Sequence, residues 1–235
     1  MFGAVITFEI PDTPDEAFRH ASDSVADPGT VYLWQCPTAD GTHHTPERLE
    51  LDVSVPCDSD ILRVPTVFVP VPILLVNTED PAVKQAAEHI LSKTEGYPDR
   101  TRIAAALNFV QSAIGYASDT DLYGCTEFWA TPAETLYFHR GDCEDTTVLL
   151  MSILGAMGYD PVLLDYDGHE AVGVPQGDQP GDYLFCETAA DVVTIPTSVT
   201  GDPDVYGIGS ISPMKETANG FIAFCREIVR KVAGT

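Results

Sequence analysis

The feature that most constrains the fold is an apolar run at residues 148–157, which follows closely after Cys143 and its acidic neighbours. If this run is helical, it has no clean polar face. A helix that is apolar on every side belongs in the middle of a core. The sequence therefore predicts a buried helix that begins near Cys143 and ends near Gly158, with the other elements packed around it.

Cys143 is predicted to lie at the N-terminal end of this helix, where free backbone N–H groups and the helix dipole favour a thiolate. The thiolate is the nucleophilic form of cysteine. The charges of Asp142, Glu144 and Asp145 favour the helix start but oppose the thiolate. A reactive Cys143 therefore needs a histidine partner, and the alternative interpretation is an inert, buried cysteine.

A candidate base and a candidate acid follow the predicted helix. The alternation of apolar and polar residues predicts three strands, with a tight turn between the first two: residues 161–166, 169–174 and 182–188. If the last two strands pair antiparallel in the register that sets His169 directly opposite Glu187, both side chains share one sheet face. Glu187 would then orient the imidazole, as a thiol nucleophile requires of its base.

The segments around these three residues are FWATPAETL at 128–136, GDCEDT at 141–146, GHEAVGV at 168–174 and CET at 186–188. Together they resemble the transglutaminase-like cysteine protein superfamily, and most closely its microbial, archaeal-type branch. The resemblance implies an α+β fold with a papain-like core, in which a central buried helix carrying Cys143 packs on an antiparallel sheet. It also implies a triad of Cys143, His169 and Glu187, although the family more often has aspartate in the third position.

The predicted function is that of a thiol-dependent enzyme that acts on amide, peptide or isopeptide bonds through a thioester, as a hydrolase or an acyl transferase. Trp129 is a candidate oxyanion donor or wall of the substrate cleft, and a core role for it is equally open. The alternative function is a non-catalytic module that binds a peptide or a partner in a vestigial cleft. No metal or organic cofactor is expected.

Residues 1–76 differ from the rest and are predicted to form a β-rich N-terminal extension to a transglutaminase-like domain at residues 77–235. The predicted elements of the extension are strands at 4–10, 31–36, 49–55 and 64–76 and a short helix at 14–26. Cys36, His43, His44 and Cys57 match no compact zinc-ligand spacing. They are therefore not taken as a metal site.

The predicted domain begins with two helices and contains a third just before Cys143. Asp80 can cap the first helix, Pro98 opens the second, and Thr131 with Glu134 forms a capping-box pattern for the third. The remaining predictions are helices at residues 81–96, 98–115, 132–138 and 221–232, a polar loop at 118–126 and a strand at 205–211.

The formal net charge of −24 argues against a nucleic-acid partner and against adhesion to anionic membranes, since both need a basic surface. No run reaches the length of about 18 to 20 apolar residues that a membrane span needs. The first residues lack the basic start of a signal peptide, and the six cysteines form no CxxC pair. We therefore expect a cytoplasmic protein with reduced thiols and a peptide or protein substrate. The oligomeric state stays open.

Overall fold

The computed structural model describes residues 14–25, 29–55, 71–177, 181–190 and 196–208. The helices are α1 Pro14–Ser24, α2 Val71–Leu75, α3 Pro81–Lys93, α4 Asp99–Ala113, α5 Asp119–Leu122, α6 Pro132–Phe138 and α7 Cys143–Ala156. The strands are β1 Val31–Pro37, β2 His44–Glu50, β3 Gly115–Tyr116, β4 Arg140–Gly141, β5 Val162–Tyr166, β6 His169–Pro175, β7 Tyr183–Cys186, β8 Thr197–Ser198 and β9 Asp204–Gly207. Within these ranges, no helix is long and apolar enough to cross a bilayer.

Helix α7 is the centre of the core. Every residue from Asp145 to Leu154 is buried, so the helix has no solvent-facing side along most of its length. It packs against α2, α3, α4 and α6 on one side and against β5 and β6 on the other. The prediction of a buried helix that begins at Cys143 is confirmed.

The main sheet has five strands in the order β8-β7-β6-β5-β9, and all of its pairings are antiparallel. A two-residue turn joins β5 to β6, with Tyr166 opposite His169 and Gly168 at a φ of 77°. This positive φ is readily adopted only by glycine, and the turn is the predicted one. The architecture is therefore α+β, with one helix buried against an antiparallel sheet.

The hairpin of β1 and β2 packs on α4, and its inward side chains Tyr32, Trp34 and Leu49 belong to the same hydrophobic cluster as α7. The predicted strand at 49–55 overlaps β2 only at Leu49 and Glu50, because β2 begins earlier, at His44 opposite Pro37. Leu51 adds one further bond, from its N–H to the Thr30 carbonyl at 2.9 Å, and residues 51–55 are not part of a strand. The predicted domain boundary after residue 76 stays a prediction.

Two short helices lie where the sequence indicated other structure. Residues 71–75 form α2, which places Ile73 in the core, instead of the end of a strand. The predicted loop at 118–126 contains α5, whose start is capped by the Ser118 hydroxyl accepting from the Asp121 N–H. By contrast, the predicted Asp80 cap and the Thr131–Glu134 capping box are both present.

The predictions for residues 4–10, 56–70 and 209–232 lie outside the described residues.

Truncation of Leu149 in α7 should destabilise the fold strongly. Leu149 is fully buried, so Leu149→Ala loses transfer free energy and leaves a cavity, and we expect a loss of about 2–5 kcal/mol in the free energy of unfolding. The matched control is Leu33→Ala, which removes the same atoms from a residue that is 67% exposed and should cost no more than about 0.5 kcal/mol. Urea unfolding midpoints measure both. Equal costs at the two positions would contradict the central position of α7.

Candidate functional site

Cys143 is the first residue of α7, and its side chain is partly buried. The thiol donates a hydrogen bond to Glu144 Oε2 over 3.0 Å and lies beside the backbone of Glu170 on β6. Burial raises the pKa of the thiol, the charge of Glu144 and its hydrogen bond raise it further, and the Glu170 backbone lowers it. Burial first, and the acidic neighbours second, therefore favour the neutral thiol.

His169 and Glu187 are in direct contact, with 2.8 Å between the imidazole Nε2 and the carboxylate Oε2. The other carboxylate oxygen of Glu187 accepts from the Ala189 N–H at 3.0 Å, and its backbone carbonyl accepts from the Gln111 side-chain amide at 2.6 Å. The Ala189 bond holds the carboxylate, and the Gln111 bond holds the backbone of Glu187. The two side chains are 37% and 29% exposed, so the pair lies at a surface that a substrate can reach.

The register that produces this contact differs from the predicted one. Val172 pairs with Cys186, so continuing the ladder would set Glu187 opposite Ala171 instead of His169. The predicted register is therefore wrong by two residues. Because side chains alternate with a period of two, a shift of two leaves His169 and Glu187 on the same face as diagonal neighbours. Cys186 faces the core and is fully buried.

Cys143 lies beside the strand that carries His169, but its thiol is hydrogen-bonded to a different residue from the His169 ring. In the part of the chain that the structure describes, the His169 ring is hydrogen-bonded to Glu187 and not to the Cys143 thiol. The link between them is Glu170, which follows His169 and whose backbone lies beside the thiol. The catalytic roles of the three residues stay predictions.

Trp129 lies in an irregular segment between α5 and α6 and packs against the main hydrophobic cluster while remaining partly exposed. The backbone N–H groups on both sides of it are bound by carboxylates: Phe128 donates to Asp119 Oδ2 at 2.5 Å, and Ala130 donates to Asp145 Oδ1 at 2.8 Å. The indole is hydrogen-bonded to the carboxyl group of Glu127. The Trp129 segment is thus positioned by acidic side chains.

A cluster of carboxyl groups surrounds Cys143, and the sequence indicated only its local members. Burial is the main cause that raises the pKa of Asp119 to about 7, of Glu127 and Glu170 to about 8, and of Asp142 to about 11. It also raises the pKa of the fully buried Asp145. Asp119, Glu127 and Glu170 are distant from Cys143 in sequence, and no local pattern pointed to them.

Three carboxyl groups near Cys143 could hold a metal ion. They are those of Asp119, Asp142 and Glu144, and one oxygen from each lies within 4.8 Å of the others. Carboxylate oxygens are the ligands that calcium and magnesium prefer. One oxygen of Asp119 and one of Asp142 are buried without a hydrogen-bond partner among the described residues. No sequence pattern indicated this set, because Asp119 lies in the segment 118–126 that is predicted only as a polar loop.

No family model matches this chain. No curated protein sequence matches it either. Among solved structures, it is similar to LapG of Legionella pneumophila in two structures, one of them EGTA-treated, at 14% sequence identity. The similarity covers 57% of this chain and 77% of LapG, with TM-scores of 0.41 and 0.40. Because both scores are below 0.5 and the identity is low, we draw no function from them.

Glu170→Gln should change how stability depends on pH. Burial raises the pKa of Glu170 to about 8, against about 4.3 in an unfolded chain. Between these values the folded state holds a proton that the unfolded state releases, so Glu170 makes the protein less stable as pH rises. The amide cannot titrate, so Glu170→Gln should gain stability relative to the parent chain over this pH range.

Urea unfolding midpoints at about pH 5, 6.5 and 8 measure the effect. The control is the same substitution at the exposed Glu95. A difference between Glu170→Gln and the parent that stays constant across these pH values would contradict the raised pKa.

Proposed function

We propose that this chain is a thiol enzyme of the transglutaminase-like, papain-like class that acts on amide, peptide or isopeptide bonds. Cys143 is the nucleophile, His169 the general base and Glu187 the residue that orients His169. The observation that supports this most is the 2.8 Å bond between His169 and Glu187, at the start of the strand on which the Cys143 helix packs. A carboxylate that is held by a backbone N–H and bound to one imidazole nitrogen leaves the other nitrogen for proton transfer.

The proposed reaction begins with attack of the Cys143 sulfur on the substrate carbonyl carbon. The thiol proton passes to His169, which then gives it to the leaving amine as the carbon–nitrogen bond breaks. A thioester remains on Cys143. Water that loses a proton to His169 hydrolyses it to a carboxylic acid, or an amine attacks in the same way and forms a new amide. In both cases the thiol regains its proton from His169.

The raised pKa of Cys143 decides how the thiol is activated. Because burial and Glu144 disfavour a resting thiolate, the proton leaves during the attack, with His169 as general base. This step requires the sulfur to turn from Glu144 towards His169. The Cys143 backbone N–H at the helix start could stabilise the oxyanion. Since the Trp129 indole is engaged by Glu127, Trp129 is better suited to be a wall of the cleft than an oxyanion donor.

The proposed substrate is a peptide or protein. A thiol nucleophile with a base requires a carbonyl carbon with a leaving group, and the amide bond of a polypeptide provides one. The net charge of −24 favours substrates that are basic or neutral near the scissile bond, because like charges repel at low ionic strength. The same charge disfavours nucleic acids and anionic membranes as partners.

A second candidate function is a non-catalytic module that binds a peptide or partner protein in the same cleft. One observation favours it: the Cys143 thiol is hydrogen-bonded to Glu144 and has a raised pKa. A binding module has no need for a reactive thiol. The two functions therefore differ in the reactivity of Cys143.

The reactivity of Cys143 with iodoacetamide should depend on His169. At neutral pH we expect His169→Ala to slow alkylation of Cys143 by about tenfold or more, since a general base contributes about 10²- to 10⁴-fold to such steps. Peptide mass spectrometry locates the modified cysteines. The internal control is Cys125, whose pKa is raised to about 11, mainly by burial, and whose labelling should not change.

If Cys143 reacts no faster than Cys125 in the parent chain, and His169→Ala changes neither rate, the enzyme function is wrong. The binding-module function then takes its place. A hydroxylamine-sensitive acyl adduct on Cys143, found after incubation with a peptide mixture, would support the thioester directly.

Removal of the Glu187 carboxylate should affect turnover more than folding. We expect Glu187→Gln to lower peptide turnover by roughly 10²- to 10⁴-fold, because the amide cannot stabilise the imidazolium and can present its N–H group to His169. Glu187→Asp keeps the charge on a shorter side chain and should retain more activity than Glu187→Gln. Turnover and urea unfolding are measured on the same samples, and equal activity in all three proteins would remove Glu187 from the mechanism.

A further inference from the structure

The segment at residues 127–130 has no regular secondary structure, yet its amide donors are bound by side chains. The Phe128 N–H donates to Asp119, and the Ala130 N–H donates to Asp145. Backbone N–H groups that are buried must find acceptors, and here carboxylates supply them in place of a helix or a sheet. The residue between the two bonds is Trp129.

The two acceptors come from different elements and are both buried. Asp119 is the first residue of α5 and is 5% exposed, whereas Asp145 lies in the first turn of α7 and is 1% exposed. Burying a carboxyl group costs free energy unless its bonds compensate, and one oxygen of each has no hydrogen-bond partner in the described ranges. The two bonds to the Trp129 segment are therefore made by carboxyl groups whose burial is only partly compensated.

Gly141 shows how tightly Asp145 is placed. A Cβ atom on Gly141 would lie 2.6 Å from the Asp145 Cβ, which is closer than such atoms approach. The absence of a side chain on Gly141 therefore lets Asp145 reach the Ala130 N–H. Asp145 is also two positions after Cys143, so the bond connects the Trp129 segment directly to the helix turn that carries the nucleophile.

We propose that Asp145 and Asp119 are positioning residues that hold Trp129 as a fixed wall of the substrate cleft beside Cys143. This inference rests on the proposed function for the identity of the cleft. The bond between the indole and Glu127 holds the ring from the side-chain end, while the two aspartates hold the backbone. A ring fixed in this way selects the position of a substrate backbone without taking part in proton transfer.

Trp129 fluorescence tests the positioning directly. The chain has two tryptophans, and Trp34→Phe leaves Trp129 as the single reporter. That substitution removes no hydrogen bond, because the Trp34 indole nitrogen has no partner among the described residues. In this background Asp145→Asn keeps an acceptor oxygen for the Ala130 N–H, whereas Asp145→Leu has a similar size and no acceptor.

We expect Asp145→Leu to shift the Trp129 emission to longer wavelength and to raise its acrylamide quenching constant by about twofold, since the lost acceptor leaves a buried N–H unsatisfied. Asp145→Asn should match the parent. Urea unfolding confirms that each variant is folded. If Asp145→Leu does not fold, the Asp119→Asn and Asp119→Leu pair tests the same segment through the Phe128 N–H.

The functional readout is the rate at which Cys143 reacts with a dipeptidyl vinyl sulfone divided by its rate with iodoacetamide. Both reagents alkylate the same sulfur, but only the peptide reagent occupies the cleft. We expect the ratio to fall by about tenfold or more in Asp145→Leu and to stay within about twofold in Asp145→Asn, because small misplacements can cost up to about 10²-fold.

Failure of the positioning inference is distinguishable from failure of the proposed function. If Trp129 fluorescence and the reagent ratio are both unchanged in a folded Asp145→Leu, the inference is overturned whether or not Cys143 is reactive. If Cys143 reacts with neither reagent in the parent chain, the proposed function fails, and with it the role of the segment as a cleft wall.

Discussion

Burial of α7 on every side is the constraint on which the rest of the structure depends. A helix without a polar face must be enclosed, so α2, α3, α4 and α6 cover part of it and strands β5 and β6 of the main sheet cover another part. Only the ends of such a helix can approach the surface. Its first residue, Cys143, is partly exposed beside the strand that begins with His169. The position of the candidate nucleophile is therefore a consequence of how the core is closed.

The acidic groups at this helix end set the chemistry of the thiol. A helix N-terminus contributes about 0.3–1 kcal/mol to a nearby anion, and up to about 2 kcal/mol in partly buried geometry. Removing an ion from water costs several kcal/mol after relaxation. Burial therefore outweighs the dipole, and the charge of Glu144 acts in the same direction. The first turn of α7 orients Cys143 without favouring its thiolate, so the proposed nucleophile would need a proton acceptor outside the helix.

The sequence predicted the elements whose signals are local. The buried helix from Cys143, the Thr131–Glu134 capping box and the tight turn before His169 depend on periodicity and turn chemistry within a few residues, and all three are present. The predictions failed where contacts between residues far apart in sequence determine the local structure. Residues 71–75 are helical although their composition is β-rich, and the roles of Asp119 and Glu170 arise only when separate elements meet at the start of α7.

The two-residue register error bears on the length of the acidic side chain at position 187. Directly opposite residues in an antiparallel pair have Cβ atoms about 4.5–5.5 Å apart, whereas diagonal neighbours are about 7–8 Å apart. His169 and Glu187 are diagonal, yet their side chains meet at 2.8 Å. The extra methylene of glutamate provides reach that aspartate lacks. In this chain the longer acid and the diagonal register therefore occur together.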